Sequence, residues 1–347
     1  MVFRGVSVKE RVQSLQGLAL PAGLVTWAVA VFLLWIMVEI HKPYQGYPER
    51  SRVVQIEQGW ALPQISRALH SQGIIRSSSI FQWYIRLAFE PSFLKAGEYQ
   101  FEGPQNLPGV LEKLRLGQVH HYRITIPEGL ALGEIAQRLE ENGFGDEEKF
   151  LQAMQNIDLL GDWDPVADQN LEGYLFPETY FFPRGVDERE IVQSMVSHFR
   201  EIWTQEYSRR AQELEFSIRE VITLASLIEK ETSLSGERPL VSAVFHNRLR
   251  QNLKLACDPT VIYAVNLIKE FDGVINQSDL DLDSPYNTYL YPGLPPGPIA
   301  NPGLDSIEAA LYPADVEYLY FVSTNEASHI FSINYRDHQR AVDKYQR

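Results

Sequence analysis

Between Gly17 and Val38 the chain carries no charged residue, and Val25–Val38 (VTWAVAVFLLWIMV) is apolar apart from Thr26. A run of about 20 apolar residues matches the thickness of a bilayer's hydrocarbon core at about 1.5 Å rise per residue. A buried helix of a soluble protein is shorter and keeps a polar stripe. A cleaved secretory leader has a shorter apolar core and a small-x-small processing site, whereas this run ends in Met37-Val38-Glu39-Ile40-His41-Lys42. The expectation is a retained transmembrane helix over residues 18–40. Arg4, Lys9 and Arg11, opposed by Glu10 alone, precede it. The positive-inside bias then puts residues 1–17 in the cytoplasm and everything after the span on the far side of the membrane. Residues 41–50 (HKPYQGYPER), with two prolines and a glycine, read as a stalk.

Beyond the span there is length for more than one folded body. A chain of 347 residues holds about two domains at roughly 150 residues each. Apolar residues at 45% and charged residues at 22% describe a folded chain rather than a disordered one. With 45 acidic against 31 basic residues the formal charge is −14, so the basic footprint of a nucleic-acid binder is missing. Cys257 stands alone. That excludes an internal disulfide framework, a CxxC redox site and a thiolate zinc cluster.

After the stalk a segment recurs. VVQIEQGWALPQISRALHSQGII, from Val53, matches RITIPEGLALGEIAQRLEENGF, from Arg123, with Gly59, Leu62, Ile65, Leu69 and Gly73 falling on Gly129, Leu132, Ile135, Leu139 and Gly143. Each copy predicts a short alternating strand, a glycine turn, and an amphipathic helix closed by a C′ glycine. Between them, residues 80–89 suggest a helix, 94–101 a strand and 107–116 another helix. Such strand-helix units resemble the LysM type of glycan-binding module, and a purely structural duplicated α+β unit fits the pattern equally well. Residues 51–120 are thus expected as a LysM-like α+β subdomain and 121–165 as a second related unit with a linker.

Beyond Gly145 the composition changes. Residues 147–154 read as a helix, and an Asp-rich loop (GDWDPVADQN) leads into the aromatic stretch Leu171–Pro183, LEGYLFPETYFFP. Aromatic faces of this kind either pack a core or offer a flat wall to sugar rings. Residues 187–200 and 205–214 read as helices. Arg219–Thr232 (REVITLASLIEKET) is apolar at helical spacing, with Val221, Leu224, Ala225 and Ile228 on one face. Glu229 and Glu231 sit on opposite flanks of that face, since two residues span about 200°. Both fall in the last turn before Ser233-Leu234-Ser235-Gly236, near the negative end of the helix dipole. There a partly buried carboxyl is held in its acid form, as a general acid at a glycosidic oxygen requires. Helix geometry leaves the choice between the two open, and a pair of surface acids on an ordinary helix fits too.

Downstream, Val241–Arg250 predicts a helix, and Cys257-Asp258-Pro259-Thr260 predicts a helix start with Asp258 as N-cap and Pro259 at N1. Ser284–Gly303 (SPYNTYLYPGLPPGPIANPG) puts six prolines and three glycines into twenty residues, a loop that costs little entropy to hold rigid. The strand Tyr318–Ser323, the strand His329–Ile333 and a helix from Tyr335 close the chain.

LASLIEKET, the ERPLVSAVFHNRL stretch, CDPTVIY, SPYNTYLYPGLPPGPIANPG and YLYFVS…HIFS together resemble the endolytic murein transglycosylases of the YceG-like family, as do LKAGEYQF and LEGYLFPETY further upstream. The resemblance covers nearly everything beyond about residue 50. It implies an α+β fold with one N-terminal membrane helix, a LysM-like part and a catalytic domain over residues 166–347. It also implies a lytic transglycosylase of the bacterial inner membrane, with its catalytic part periplasmic. Such an enzyme cleaves the MurNAc–GlcNAc bonds of peptidoglycan without water and leaves 1,6-anhydroMurNAc ends. The second Glu of EKET, here Glu231, is the catalytic residue it implies. Asn287, Tyr289, Glu178, Tyr180 and Glu229 are the substrate-side candidates, although Glu229 points away across the helix and makes a poor second carboxylate. No cofactor or metal is expected, and no nucleic acid. The expected partners are glycan strands, the membrane, and peptidoglycan synthases or division proteins. A hydrolytic muramidase and a non-catalytic wall-binding scaffold remain the alternatives.

Overall fold

The computed structural model describes residues 22–88, 94–164, 170–324 and 328–346. The basic N-terminal segment, the first residues of the expected span and positions 165–169 of the Asp-rich loop lie outside the described residues. The chain forms a mixture of helix and short antiparallel strand pairs, in two compact units that divide between His121 and Tyr122.

The first unit begins with helix α1 (Ala22–His41). Its window Gly23–His41, of mean hydropathy 2.2, is long and apolar enough to cross a membrane. Trp27, Phe32, Leu34 and Trp35 are all more than half exposed, so the helix is apolar all round and its sides are uncovered by protein. Among the described residues its C-terminal end is tied down, by buried Ile40, by Ile36 packed on the core and by a Glu39–Arg76 ion pair of 2.9 Å. Strands β1 (Ser51–Ile56) and β2 (Gly97–Glu102) pair antiparallel, Ser51 opposite Glu102 and Ile56 opposite Gly97. Between them lie α2 (Leu62–Ser71) and α3 (Ser78–Ala88), and after β2 comes α4 (Leu107–Leu116). Val54, Ile56, Ile65, Leu69, Phe81, Tyr99, Phe101 and Leu114 form its core.

The second unit opens with β3 (Tyr122–Thr125), α5 (Leu132–Glu141) and α6 (Glu147–Met154). The repeat is visible here in detail. α2 and α5 are both ten residues long and bury corresponding side chains, Leu62, Ile65 and Leu69 against Leu132, Ile135 and Leu139. Gly59 and Gly129 take φ of 83° and 78°, and Gly73 and Gly143 both 72°. Past each helix end the glycine amide bonds the carbonyl three residues back, and the next amide, of Ile74 or Phe144, bonds Leu69 or Leu139, which is the Schellman pattern.

The second copy is not a free-standing piece. Ile135 and Leu139 share one core with Leu224, Ile228 and Phe245 of the later helices, because its single apolar face needs a partner to bury against. Strand β4 (Thr179–Phe182), drawn from the aromatic stretch, pairs with β3. Helices α7 (Glu188–Ile202), α8 (Gln205–Glu213), α9 (Ile218–Glu231), α10 (Arg238–Arg250), α11 (Asp258–Asn266), α12 (Gln277–Leu280) and α13 (Leu304–Leu311) come next. The antiparallel pair β5 (Tyr320–Ser323) and β6 (His329–Ser332) and helix α14 (Tyr335–Tyr345) complete the unit. α9 is central, buried continuously from Val221 to Ile228 and packed against α13, α10, α11 and α8.

Candidate active site

α9 starts where Ser217 caps the Glu220 amide and Glu220 reaches back to the Ser217 amide, a reciprocal pair. It stops at Glu231 because Thr232 turns extended, at φ −143°. The Thr232 hydroxyl accepts from the Leu234 amide and donates to Glu237, whose carboxylate also takes the His329 amide and ring at 2.9 and 2.7 Å. This network fixes the chain just past the two acids.

The two carboxylates meet opposite surroundings. Glu229, almost wholly buried, accepts from Arg238 at 2.9 Å and from the Gly303 amide at 3.1 Å. Arg238 is buried as well and also reaches Glu128 and Asp305. Lys230, between the two acids, donates to the Gly129 carbonyl in the turn of the second repeat.

Glu231 is half-buried on the other flank, and among the described residues no cation forms an ion pair with it. Its carboxyl takes a hydrogen bond from the Cys257 thiol, and the charges of Asp258 and Arg248 act on it in opposite directions. Burial pushes its pKa up to about 7, and the negative charge of Asp258 adds to the rise. Cys257 is buried, and burial followed by the charge of Glu231 drives its thiol well above the ordinary range, so it stays an S–H donor. Arg248 is taken up by the carbonyls of Leu319, Lys254 and Leu255 and lies over the Tyr320 ring.

The expected cap at Asp258 is corrected by the structure. α11 begins at Asp258 itself, its cap position is Cys257, and no side chain caps it. The Asp258 carboxylate instead accepts from the Tyr289 hydroxyl at 2.5 Å. Tyr289 therefore stands in this cluster. Asn287 is fully buried, its amide nitrogen donating to the carbonyls of Leu280 and Leu282 and its oxygen accepting from the Tyr289 amide. With its hydrogens spent inside the loop, Asn287 shapes the loop that carries Tyr289 rather than facing a ligand.

Glu178 and Tyr180 belong elsewhere. Glu178 is exposed and folds onto the Thr179 amide, while the Tyr180 hydroxyl donates to the Phe176 carbonyl and its ring stacks on Phe182. Tyr180 lines a groove of about 500 Å³ with Glu190, Ser194, His198 and Glu201 of α7. A second groove, of about 460 Å³, runs along the proline-rich loop between Asp283, Tyr291 and Pro296. Neither includes Glu231.

Three participants escape sequence reading. The Cys257 thiol and the Arg248 charge act on Glu231 only through the packing of α11 and α10 on α9, and nothing in their local patterns marks it. Glu172, within the aromatic stretch, is buried and accepts from the Leu132 amide, Tyr263 and Asn301; burial raises its pKa to about 8 against the pull of those donors. An acid amid apolar neighbours in LEGYLF is the one signal that was available for it.

These elements have counterparts in known proteins. The chain matches the model of the YceG-like family over residues 54–344 and belongs to that family. It is 33% identical over 307 residues to an endolytic murein transglycosylase of Bacillus subtilis, covering 84% of each chain. A second relative of that name, from Streptococcus pneumoniae, is 28% identical over 331 residues, and the chain spans 60% of its length. A crystal structure of a YceG-like protein from Listeria monocytogenes matches with a TM-score of 0.57 at 32% identity, covering 84% of this chain and 98% of that one.

Proposed function

We propose that this protein is a membrane-anchored lytic transglycosylase that cleaves the MurNAc–GlcNAc bonds of peptidoglycan strands, with Glu231 as its one acid and base. A single observation carries the reading: a carboxyl at the end of a buried helix, without an ion-pair partner among the described residues and with its pKa raised to about 7 by burial. Such a group is still largely protonated near neutrality and can give a proton to the leaving GlcNAc oxygen. As the C1–O bond breaks, the anomeric carbon takes on positive charge. The carboxylate then removes the proton of the MurNAc C6 hydroxyl, whose oxygen closes on C1 to form the 1,6-anhydro ring. One proton leaves the carboxyl and one returns, and no water is consumed. The names of the relatives support the same substrate.

The apolar α1 supports anchoring, with the N-terminus on the cytoplasmic side and the second unit outside the cytoplasm. The strand-helix-helix-strand order of β1, α2, α3 and β2 supports the LysM-like reading of the first unit. Synthases or division proteins of the same wall are the partners that fit such a location.

One observation favours a second reading. The charge of a second carboxylate, Asp258, acts on Glu231, and hydrolytic glycosidases use two carboxylates. Digestion of purified sacculi by the full chain in detergent, with product masses recorded, separates the two. Anhydro ends support the lytic reading, and reducing ends, heavier by one water, overturn it. Glu231→Gln lowers cleavage by about 10²-fold or more under either reading and leaves sacculus binding intact.

A further inference from the structure

Just past α1 the chain is bonded down to the first unit. Tyr44 and Gln105 exchange two backbone bonds of 2.9 Å, the Gly46 amide donates to the Gly73 carbonyl at 2.8 Å, and buried Tyr47 donates to the Phe101 and Gly103 carbonyls. Depth can be read along α1. The apolar run ends at Val38, so Glu39 and Lys42 mark the level where hydrocarbon gives way to headgroups. Ile36, about 4.5 Å below Glu39 at the rise of a helix, packs on the core of the first unit. Protein therefore reaches the hydrocarbon boundary. α3 packs directly on α1 and starts at that level: Arg76, two residues before it, bonds Glu39 at 2.9 Å and lies over the Tyr44 ring.

α3 has two faces. Phe81 and Ile85 are fully buried, and Ile80 and Tyr84 pack beside them on the same core. Ser79, Trp83, Arg86 and Leu87 fall at helical spacing on the other side, all exposed. Trp83 is 67% and Leu87 78% exposed, as bare as the sides of α1 itself. α3 carries no acidic residue, in a chain of net charge −14. Tryptophan and leucine beside an arginine suit the headgroup boundary, where an indole finds apolar and polar neighbours together and a guanidinium meets lipid phosphate. We infer that the outer stripe of α3 is a second membrane contact: Trp83 and Leu87 dip into the leaflet from which α1 emerges, and Arg86 rests on its phosphates. The contact continues the surface that α1 already presents to lipid, and it keeps the first unit from swinging about the end of its anchor. The inference rests on the anchored reading of α1.

Site-directed fluorescence tests this, with the full chain in bilayer nanodiscs of phosphatidylethanolamine and phosphatidylglycerol. Cys257, the one native cysteine, is buried, so a thiol-reactive NBD label goes to an introduced cysteine. The label on Leu87→Cys is quenched by a nitroxide-bearing lipid and shielded from aqueous iodide, and the label on Ser79→Cys behaves the same way. Adding Trp83→Asp, which sets a charge on the stripe, lifts the label at position 87 towards water, so that lipid quenching falls and iodide quenching rises. A Leu87→Cys label open to iodide and untouched by the lipid nitroxide overturns the inference, whether or not added glycan strands or a protein then shield it. Should that variant not fold, the same result at Ser79→Cys does so. A label on Phe32→Cys, in the middle of α1, separates the two readings. If it is open to iodide, the anchor itself is removed; if it lies in lipid while the stripe is open to iodide, the anchor stands and only the second contact is lost.

Discussion

Glu229 and Glu231 share one helix turn and one residue type, yet the protein treats them in opposite ways. Glu229 is closed in with Arg238 and a backbone amide, which makes its charge part of the architecture. Glu231 receives a thiol, a neighbouring anion and partial burial, which makes its charge costly and its proton available. The position of an acid along a helix therefore says less about its role than what the neighbouring helices bring to its flank. A structural acid is paired by a cation; a reactive one is denied it.

The largest expected effect breaks this contrast from the reactive side. Glu231→Gln lowers muropeptide release by about 10²- to 10⁴-fold, the usual range for loss of a general acid, with the melting temperature near that of wild type. Glu229→Gln does the reverse. It leaves buried Arg238 without its closest partner, which costs about 3 kcal/mol and lowers Tm by on the order of 10 °C, with activity per folded molecule largely kept. Thermal melts beside specific activity check both halves.

The pH dependence sharpens the comparison next. Glu231 works in its acid form, so activity is full below a pKa of about 7 and falls tenfold per unit above it. Stability moves in the same direction for a separate reason. Glu172, with its pKa raised to about 8, binds its proton more tightly folded than unfolded. Its contribution is complete below the ordinary value of 4.5 and is lost as pH rises through about 8. Urea midpoints measured from pH 4 to 9 in wild type and Glu172→Gln show this as a decline that the variant flattens.

The smallest effect concerns the two copies of the repeat. Gly59→Ala and Gly129→Ala each force a side chain into left-handed backbone, at φ 83° and 78°, for about 1 kcal/mol apiece. An added Cβ at Gly59 meets nothing within 4 Å, while at Gly129 it meets the Glu229 side chain at 3.4 Å. Denaturant midpoints that differ strongly between the two would show that the second turn supports the site as well as the fold.

Much of this was legible in the sequence because it comes from local rules. The apolar span, the repeated strand-turn-helix, the glycines of the turns and the two acids at the end of α9 are set by period, residue size and backbone freedom. The rest was not local. Asp258 has the pattern of a helix cap and became the partner of Tyr289, thirty-one residues away along the chain. Asn287 has the chemistry of a sugar contact and became an internal brace. Tyr180 belongs to an aromatic run that reads equally as wall or core, and it packs on Phe182 and His198.

By itself the sequence determined where helices and turns form and which two acids end the central helix, since those depend on neighbours within a turn or two. Only the tertiary structure decided which acid keeps a proton. That choice depends on the dielectric and the charges within a few ångströms of each carboxyl, and these are supplied by α10, α11, α13 and the proline-rich loop, distant along the chain and adjacent only once it has folded.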